Sequence, residues 1–212
     1  MELTRFGWNA LTMGFLGTIF LTGVCAWGLW QQKKAIWRDP SCQSISIIWF
    51  CYVATIYLTG LIYGWSINSL ALMFNGLVLG LFHIPILWGL WKFKGFSRLE
   101  KTFALCLSIV IITMIVTPWK DWFFLISIFG NIFFTLTQPY QIWKNKNAGV
   151  VEIKLLSVYL LNSAFWLIYS YAINDWVLKI VNPIGLITII LTIVVWYRYH
   201  KETKKQTVDS CP

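Results

Sequence analysis

The sequence predicts an all-α integral membrane protein that crosses the bilayer with seven helices. Hydrophobic residues make up 58% of the 212 residues and charged residues only 12%. Six long stretches lack charge, and one of them, residues 41–91, can hold two crossings separated by a polar break at residues 66–69. These runs are continuously apolar, which excludes the alternating pattern of a strand barrel. Since a spanning helix needs roughly 20 apolar residues, we expect spans at about 11–30, 45–65, 70–91, 102–118, 122–142, 154–172 and 178–197.

A repeat of about 106 residues relates the two halves of the chain. Residues 61–68 (LIYGWSIN) return as residues 167–174 (LIYSYAIN), with five of the eight positions identical. At the same offset, residues 36–38 (IWR) return as residues 142–144 (IWK). In a chain this apolar, such an echo indicates two copies of one helical bundle within the membrane.

The basic residues are distributed unevenly between the two predicted faces of the membrane. With seven spans, 14 of the 17 lysines and arginines fall on the face that carries the carboxyl terminus. The positive-inside rule therefore places the carboxyl terminus in the cytoplasm and the amino terminus outside. The net charge of +9 is then a topology signal and does not indicate nucleic-acid binding. The bias and the compact loops suit a bacterial inner membrane, and an organelle membrane is the alternative.

Sidedness and repeat together predict the architecture. Equivalent segments of the two copies lie on the same face, and three helices reverse the chain direction, so one further helix must separate two parallel copies. We expect a single membrane domain with 3+1+3 helices, built from parallel triple-helix bundles. Its parts are a first bundle at 8–93, a linker helix at 98–119, a second bundle at 120–199 and a cytoplasmic tail without regular structure at 200–212.

The end of the fifth span carries a family resemblance. Residues 138–150 (QPYQIWKNKNAGV) resemble the PQ-loop signature, and residues 30–38 form a first copy that lacks the proline. Residues 41–46 are similar to the serine-rich entry into the second helix of that motif. Over roughly residues 11–91 and 122–198 the chain resembles the PQ-loop and SWEET-like transporters of the MtN3/saliva superfamily, which have two three-helix repeats. The resemblance implies movement of a small solute by alternating access.

Two asparagines at matching depth are the first candidates for a substrate site. Asn75 lies on the third span and Asn182 on the seventh. A buried amide is costly without partners, so both should face the protein interior or a cavity. In SWEET-like transporters an asparagine at this place lines the pocket with a tryptophan from the preceding helix, and Trp166 fits that pattern. The structural alternative is that these asparagine side chains only form hydrogen bonds between neighbouring helices.

The first repeat departs from this pattern. Gly60 stands near the place of Trp166, with Tyr57 as a neighbouring aromatic, and Asn162 lies one turn before Trp166. An aromatic wall between amides suits a small polyhydroxylated solute, because rings cover its apolar face while amides bond its hydroxyls. A sugar is the first expectation, and an amino acid or another metabolite is the alternative.

Gln138 and Pro139 are the candidates for a gating hinge. Proline removes a backbone donor and clashes with the carbonyl four residues earlier, so it bends or breaks a helix. Pro139 lies where the fifth span approaches its cytoplasmic end, a suitable place for an inner gate. A packing kink without a gating role is the alternative.

The ionisable residues bear on mechanism. No Asp or Glu falls in the middle of a span, which favours facilitated diffusion over proton coupling. His83 is the one titratable candidate, and we expect it near the cytoplasmic end of its helix. Nothing indicates an enzyme, a cofactor or a metal site. The expected partners are a small-molecule substrate and the lipid bilayer, with no nucleic acid and with homo-oligomerisation left open. A membrane receptor on the same fold is the remaining alternative.

Overall fold

A computed structural model describes residues 7–172 and 176–209 of the chain, with a few side chains inside these helices left undescribed. The protein is 84% helix and has no strand among the described residues. The eight helices are α1 (Ala10–Arg38), α2 (Ile47–Ser66), α3 (Leu70–Phe93), α4 (Arg98–Val116), α5 (Lys120–Thr135), α6 (Thr137–Asn145), α7 (Ile153–Ala172) and α8 (Trp176–Asp209). The segments α5 and α6 form one crossing, so seven helical segments are long and apolar enough to span a membrane. The predicted fold class is confirmed.

Side-chain caps start the first four helices. Asn9, Ser46, Ser69 and Ser97 each accept a hydrogen bond from a backbone N–H in the first turn of α1, α2, α3 and α4 respectively. These oxygens satisfy donors that an α-helix leaves without intrahelical partners. The short polar breaks between apolar runs therefore fix where each crossing begins.

Both three-helix units have the same internal order. In the first unit α3 packs against α1 and α2, while α1 and α2 do not meet among the described residues. In the second unit α8 packs against α7 and against both α5 and α6. The third helix thus lies between the other two in each unit, as expected for copies of one bundle. The units meet along two seams, α1 with α7 and α2 with α5.

The linker helix α4 lies outside the two bundles. It packs against α2 and α5, one helix from each bundle, and Met114 is its one buried residue. Its remaining surface is apolar and exposed, with Leu105, Ile109 and Ile112 among the residues that face outward. Exposed apolar surface on this scale indicates a lipid environment.

The bounds of two helices differ from the predicted spans. The helix α1 continues to Arg38 because the polar residues after the apolar run include good helix formers. The helix α8 continues to Asp209, so the expectation of an irregular tail is wrong for residues 200–209. That segment contains neither glycine nor proline, and half of its residues are lysine, glutamate or glutamine, which are good helix formers. The last two residues of the second repeat copy, Ile173 and Asn174, lie outside the described residues.

Candidate functional site

A cavity of about 190 Å³ lies at the centre of the protein, between the two bundles. It is bounded by α2 and α3 from the first bundle and by α5, α7 and α8 from the second. All six residues that the sequence predicts for a substrate site line this one cavity: Tyr57, Gly60, Asn75, Asn162, Trp166 and Asn182. The fold therefore brings the predicted residues together, and their role in binding stays a prediction.

The three asparagines use their hydrogen-bonding groups differently. The amide Nδ2 of Asn182 donates to the backbone carbonyl of Trp166 at 3.0 Å. The amide Nδ2 of Asn75 donates to the Thr22 hydroxyl at 2.8 Å. The side-chain Oδ1 of Asn162 is buried and has no hydrogen-bond partner. Since a carbonyl can only accept, the orientation of the Asn182 amide follows from its bond to Trp166.

These bonds set the chemistry that the cavity offers to a ligand. With its donor group bound to protein, Asn182 has its carbonyl oxygen left for a ligand, and Asn162 adds a second acceptor. A buried acceptor without a partner costs about 1–3 kcal/mol, and a ligand donor at this place would recover that energy. The polar part of the cavity therefore favours ligands that donate hydrogen bonds.

Aromatic rings form much of the remaining wall. Trp166 packs edge-on against Phe165 and Tyr169, with ring centroids 6.0 and 5.7 Å apart. Phe124 of α5 stacks on Tyr63 of α2 at 4.4 Å. The Trp166 contacts lie within α7, whereas the stack of Phe124 on Tyr63 joins α5 to α2. Together they hold the cavity-lining faces of Trp166 and Phe124 in place, so that rigid apolar surfaces flank the acceptors.

Charged side chains are absent from the described lining of the cavity, and so is the predicted titratable candidate. His83 is fully buried in α3, ten residues before the helix ends at Phe93. Its ring lies 5.4 Å from that of Tyr57, and its Nδ1 is 2.7 Å from the carbonyl oxygen of Leu79. The expected position at the cytoplasmic end of the helix is therefore wrong: the ring packs in the core, behind a residue that lines the cavity.

The predicted hinge corresponds to a break in the fifth crossing. The helix α5 ends at Thr135, Leu136 separates it from α6, and Pro139 lies in the first turn of α6. A proline at 139 has no N–H to donate to the carbonyl of residue 135, so the regular helix ends there, while a first-turn position tolerates the missing donor. The break is geometric, and a gating role for it stays a prediction.

Gln138 connects α6 to the opposite bundle. We call residues 39–46, between α1 and α2, the first loop, and residues 146–152, between α6 and α7, the second loop. The Gln138 side chain is buried, and its Oε1 accepts from the Ser46 N–H at 3.0 Å. Its Nε2 donates to the Ser44 carbonyl at 2.9 Å. A residue of the second bundle thus holds the first loop.

Gln32, which the sequence analysis did not select, makes the equivalent contact on the other side. Its buried Nε2 donates to the Val150 carbonyl at 2.9 Å, and its Oε1 accepts from the Glu152 N–H at 2.8 Å. Gln32 stands 106 residues before Gln138, the period of the repeat. That offset is the sequence signal for the pair, although Lys33 follows Gln32 where Pro139 follows Gln138.

The fold defines a seven-helix integral membrane protein with a central cavity between two three-helix units. Residues 122–204 match the MtN3/saliva family model, whose description is a sugar efflux transporter for intercellular exchange. The predicted resemblance is confirmed over this part of the chain, which contains the second bundle. The matched family consists of transporters and not of enzymes, and it supports a membrane sugar transporter. No curated protein and no solved structure matches the chain.

Proposed function

We propose that the protein moves a small neutral polyhydroxylated solute, a monosaccharide in the first instance, through the central cavity by alternating access. The observation that carries the proposal is the pair of amide acceptors beside an aromatic wall. Asn162 and Asn182 have carbonyl oxygens for ligand hydroxyls, and Trp166 offers a flat apolar face. A sugar ring combines hydroxyl donors with apolar C–H faces, so it fits both features.

The size of the cavity supports a solute of one sugar ring. An engineered protein cavity of about 150 Å³ holds benzene, and the cavity here measures about 190 Å³. A six-membered ring with hydroxyl substituents is the largest common sugar unit for such a space. We therefore expect monosaccharides to be preferred over disaccharides.

The lack of charge in the described lining argues against the alternative ligands. A zwitterionic amino acid would bring a carboxylate, which needs cationic or several neutral donors when it leaves water. A receptor for charged peptide ends would have the same need. Neutral amino acids and a receptor role are therefore second candidates, favoured only if sugars fail to bind.

Uptake by purified protein in liposomes tests the proposal. We expect labelled monosaccharides to enter down their own gradient, and Asn182→Ala to reduce uptake about tenfold through loss of a ligand hydrogen bond and disturbance of the Trp166 wall. Gln141→Ala on α6 is a matched control, because this half-buried amide lies outside the cavity lining. Uptake of a neutral amino acid but of no sugar would contradict the proposed substrate class.

Facilitated diffusion is part of the same proposal and has its own test. No carboxylate lies in the described cavity lining, and His83 is not part of it either, although its ring lies 5.4 Å from that of the lining residue Tyr57. We expect uptake to proceed without a proton gradient. Accumulation of solute against its gradient when the pH differs across the membrane, lost in His83→Gln, would overturn the facilitated-diffusion part and leave the substrate class standing.

A further inference from the structure

The two glutamines make the same pair of bonds in opposite directions across the protein. Gln32 of the first bundle bonds the second loop, and Gln138 of the second bundle bonds the first loop. We propose that Gln32 and Gln138 form a reciprocal clamp, which holds the two bundles together at the loop face, the side of the protein that carries the first and second loops. Both glutamines must release their hydrogen bonds before the cavity opens on that side. The inference rests on the proposed transport function.

Each glutamine satisfies one backbone donor and one backbone acceptor, two residues apart. Gln138 pairs with the carbonyl of Ser44 and the N–H of Ser46, and Gln32 does the same at the positions 106 residues later. Both side chains are 1% exposed. If a bundle moved away without water entering the gap, each glutamine amide would lose both of its hydrogen bonds, and its two backbone partners would lose theirs. Four buried polar groups without partners are costly. The clamp is therefore stable when paired or when opened fully to water, with no favourable state between.

The two loops also contact each other directly. The N–H of Val150 donates to the carbonyl of Gln43 at 3.2 Å, and the hydroxyl of Ser44 donates to the carbonyl of Asn147. Gly149 has a φ of +56°, and a Cβ atom there would lie 2.2 Å from the Gln43 carbonyl oxygen. A side chain at this place would force the loops apart. The loop face is thus closed by contacts between the bundles at several points.

The clamp lies directly beside the cavity. Trp49, three residues after Ser46, lines the cavity, and so does Thr135, three residues before Gln138. A separation of the first loop from α6 would loosen the loop-facing end of the α2–α5 seam, where these two residues lie. Release of the clamp would therefore open the cavity at its loop-facing end.

The reciprocal arrangement predicts how the effects of losing Gln32 and of losing Gln138 combine. Gln32 alone still ties the first bundle to the second, and so does Gln138 alone. Loss of either glutamine should make opening easier, and loss of both should multiply the two effects, because the bonds lie on different seams and share no partner. A hydrogen bond contributes a factor of about five to an equilibrium. Each glutamine makes two such bonds, so we expect about fivefold to 25-fold from each loss and the product of the two factors from both.

A native cysteine reports on this opening without any substrate. Cys42 lies in the first loop and is fully buried. Burial raises the pKa of the Cys42 thiol, while Lys94 lowers it and Asp39 raises it. The thiol should react slowly with a maleimide while the face is closed and faster once the first loop meets water. Cys106→Ser and Cys211→Ser simplify the background, and peptide mass spectrometry assigns the modified residue.

The experiment compares the alkylation rate of Cys42 in Gln32→Leu, Gln138→Leu and the double variant. Gln31→Leu and Gln141→Leu are matched controls, since neither side chain takes part in the clamp. Gln32→Leu is the decisive variant because its bonds go to the second loop, which does not carry Cys42. A rise in that variant, absent in Gln31→Leu, supports the clamp. A rate within about twofold of wild type, or an equal rise in the controls, overturns it.

Hydrogen exchange of the unmodified protein gives a test that needs no variant. The amide protons of Ser46 and Glu152 are those donated to the two glutamines, so one opening motion should expose both together. Matched exchange rates at the two amides, changed alike by an added monosaccharide, support the clamp. Exchange rates that differ and respond separately overturn it. Neither readout depends on transport: coupled opening in a protein that moves no sugar would contradict the proposed function and leave the clamp intact.

Discussion

The α2 wall and the α7 wall of the cavity come from the same position of the repeat but differ in chemistry. Four pairs of cavity-lining residues on these helices stand 106 residues apart: Val53, Ile56, Tyr57 and Gly60 on α2, and Tyr159, Asn162, Ser163 and Trp166 on α7. Trp49 of α2 also lines the cavity, without a lining counterpart on α7. The α7 set supplies most of the polar groups and the large aromatic ring. The α2 set supplies apolar surface and, at Gly60, open volume.

The two walls therefore supply different chemical groups, although they occupy equivalent positions of the repeat. The repeat places matched positions around one cavity, and each copy then fills those positions differently. In the proposed transport function, the polar groups of α7 would bind the solute, while Gly60 of α2 leaves space for it. The family match covers residues 122–204, which include the α7 wall of the cavity and not the α2 wall.

Gly60→Trp gives the α2 wall the residue of the α7 wall and has the largest expected effect. A Cβ at Gly60 meets only Phe124, at 3.9 Å, so the backbone tolerates a side chain there. An indole is larger than the benzene that fills a cavity of about 150 Å³, so it would occupy most of the 190 Å³. We expect uptake to fall more than about a hundredfold while the melting temperature stays near that of wild type.

Gly60→Ala is the control for this substitution and should retain most of the uptake. If Gly60→Trp transported monosaccharides at the wild-type rate, the solute path would lie elsewhere, and the cavity could not be the binding site.

Asn162→Ile makes the reverse exchange, giving α7 the residue that α2 carries at Ile56. The substitution removes a carbonyl oxygen that is buried without a partner, so the unliganded protein should not lose stability and should gain up to about 1–2 kcal/mol. The same change removes a ligand acceptor, and monosaccharide affinity should fall about tenfold. Thermal unfolding with and without sugar measures both effects on one sample.

The opposite signs make this prediction specific. A purely structural asparagine would lower the melting temperature when replaced, and sugar affinity would change only through that loss. Ile56→Asn, the matched exchange on α2, should lower stability because it buries a new amide among apolar neighbours.

Composition and charge placement were sufficient to predict the fold class, because the crossings are long apolar runs separated by short polar or charged segments. The site could be predicted in part: matching depth on two helices identified Asn75 and Asn182, which line one cavity. The contacts of Gln32 could not be predicted, because they depend on how far α1 extends toward the second loop. His83 was misplaced since distance along a helix does not reveal which face another helix covers.

The two first helices of the bundles give the last comparison, with the smallest expected effect. The helix α1 is continuous through Lys33, whereas the equivalent crossing breaks at Leu136, before Pro139. Pro139→Ala restores the missing N–H and should favour a continuous helix. If the break serves as a hinge, the transport rate should fall about threefold to tenfold, less than 1.4 kcal/mol on the barrier, with sugar affinity unchanged. Pro85→Ala in α3 is the matched control, because that proline lies inside a helix of one bundle. Equal rates in both variants and in wild type would show that the break at Leu136 only accommodates packing, whereas a fall in affinity without a change in rate would place Pro139 in the binding site rather than in the motion.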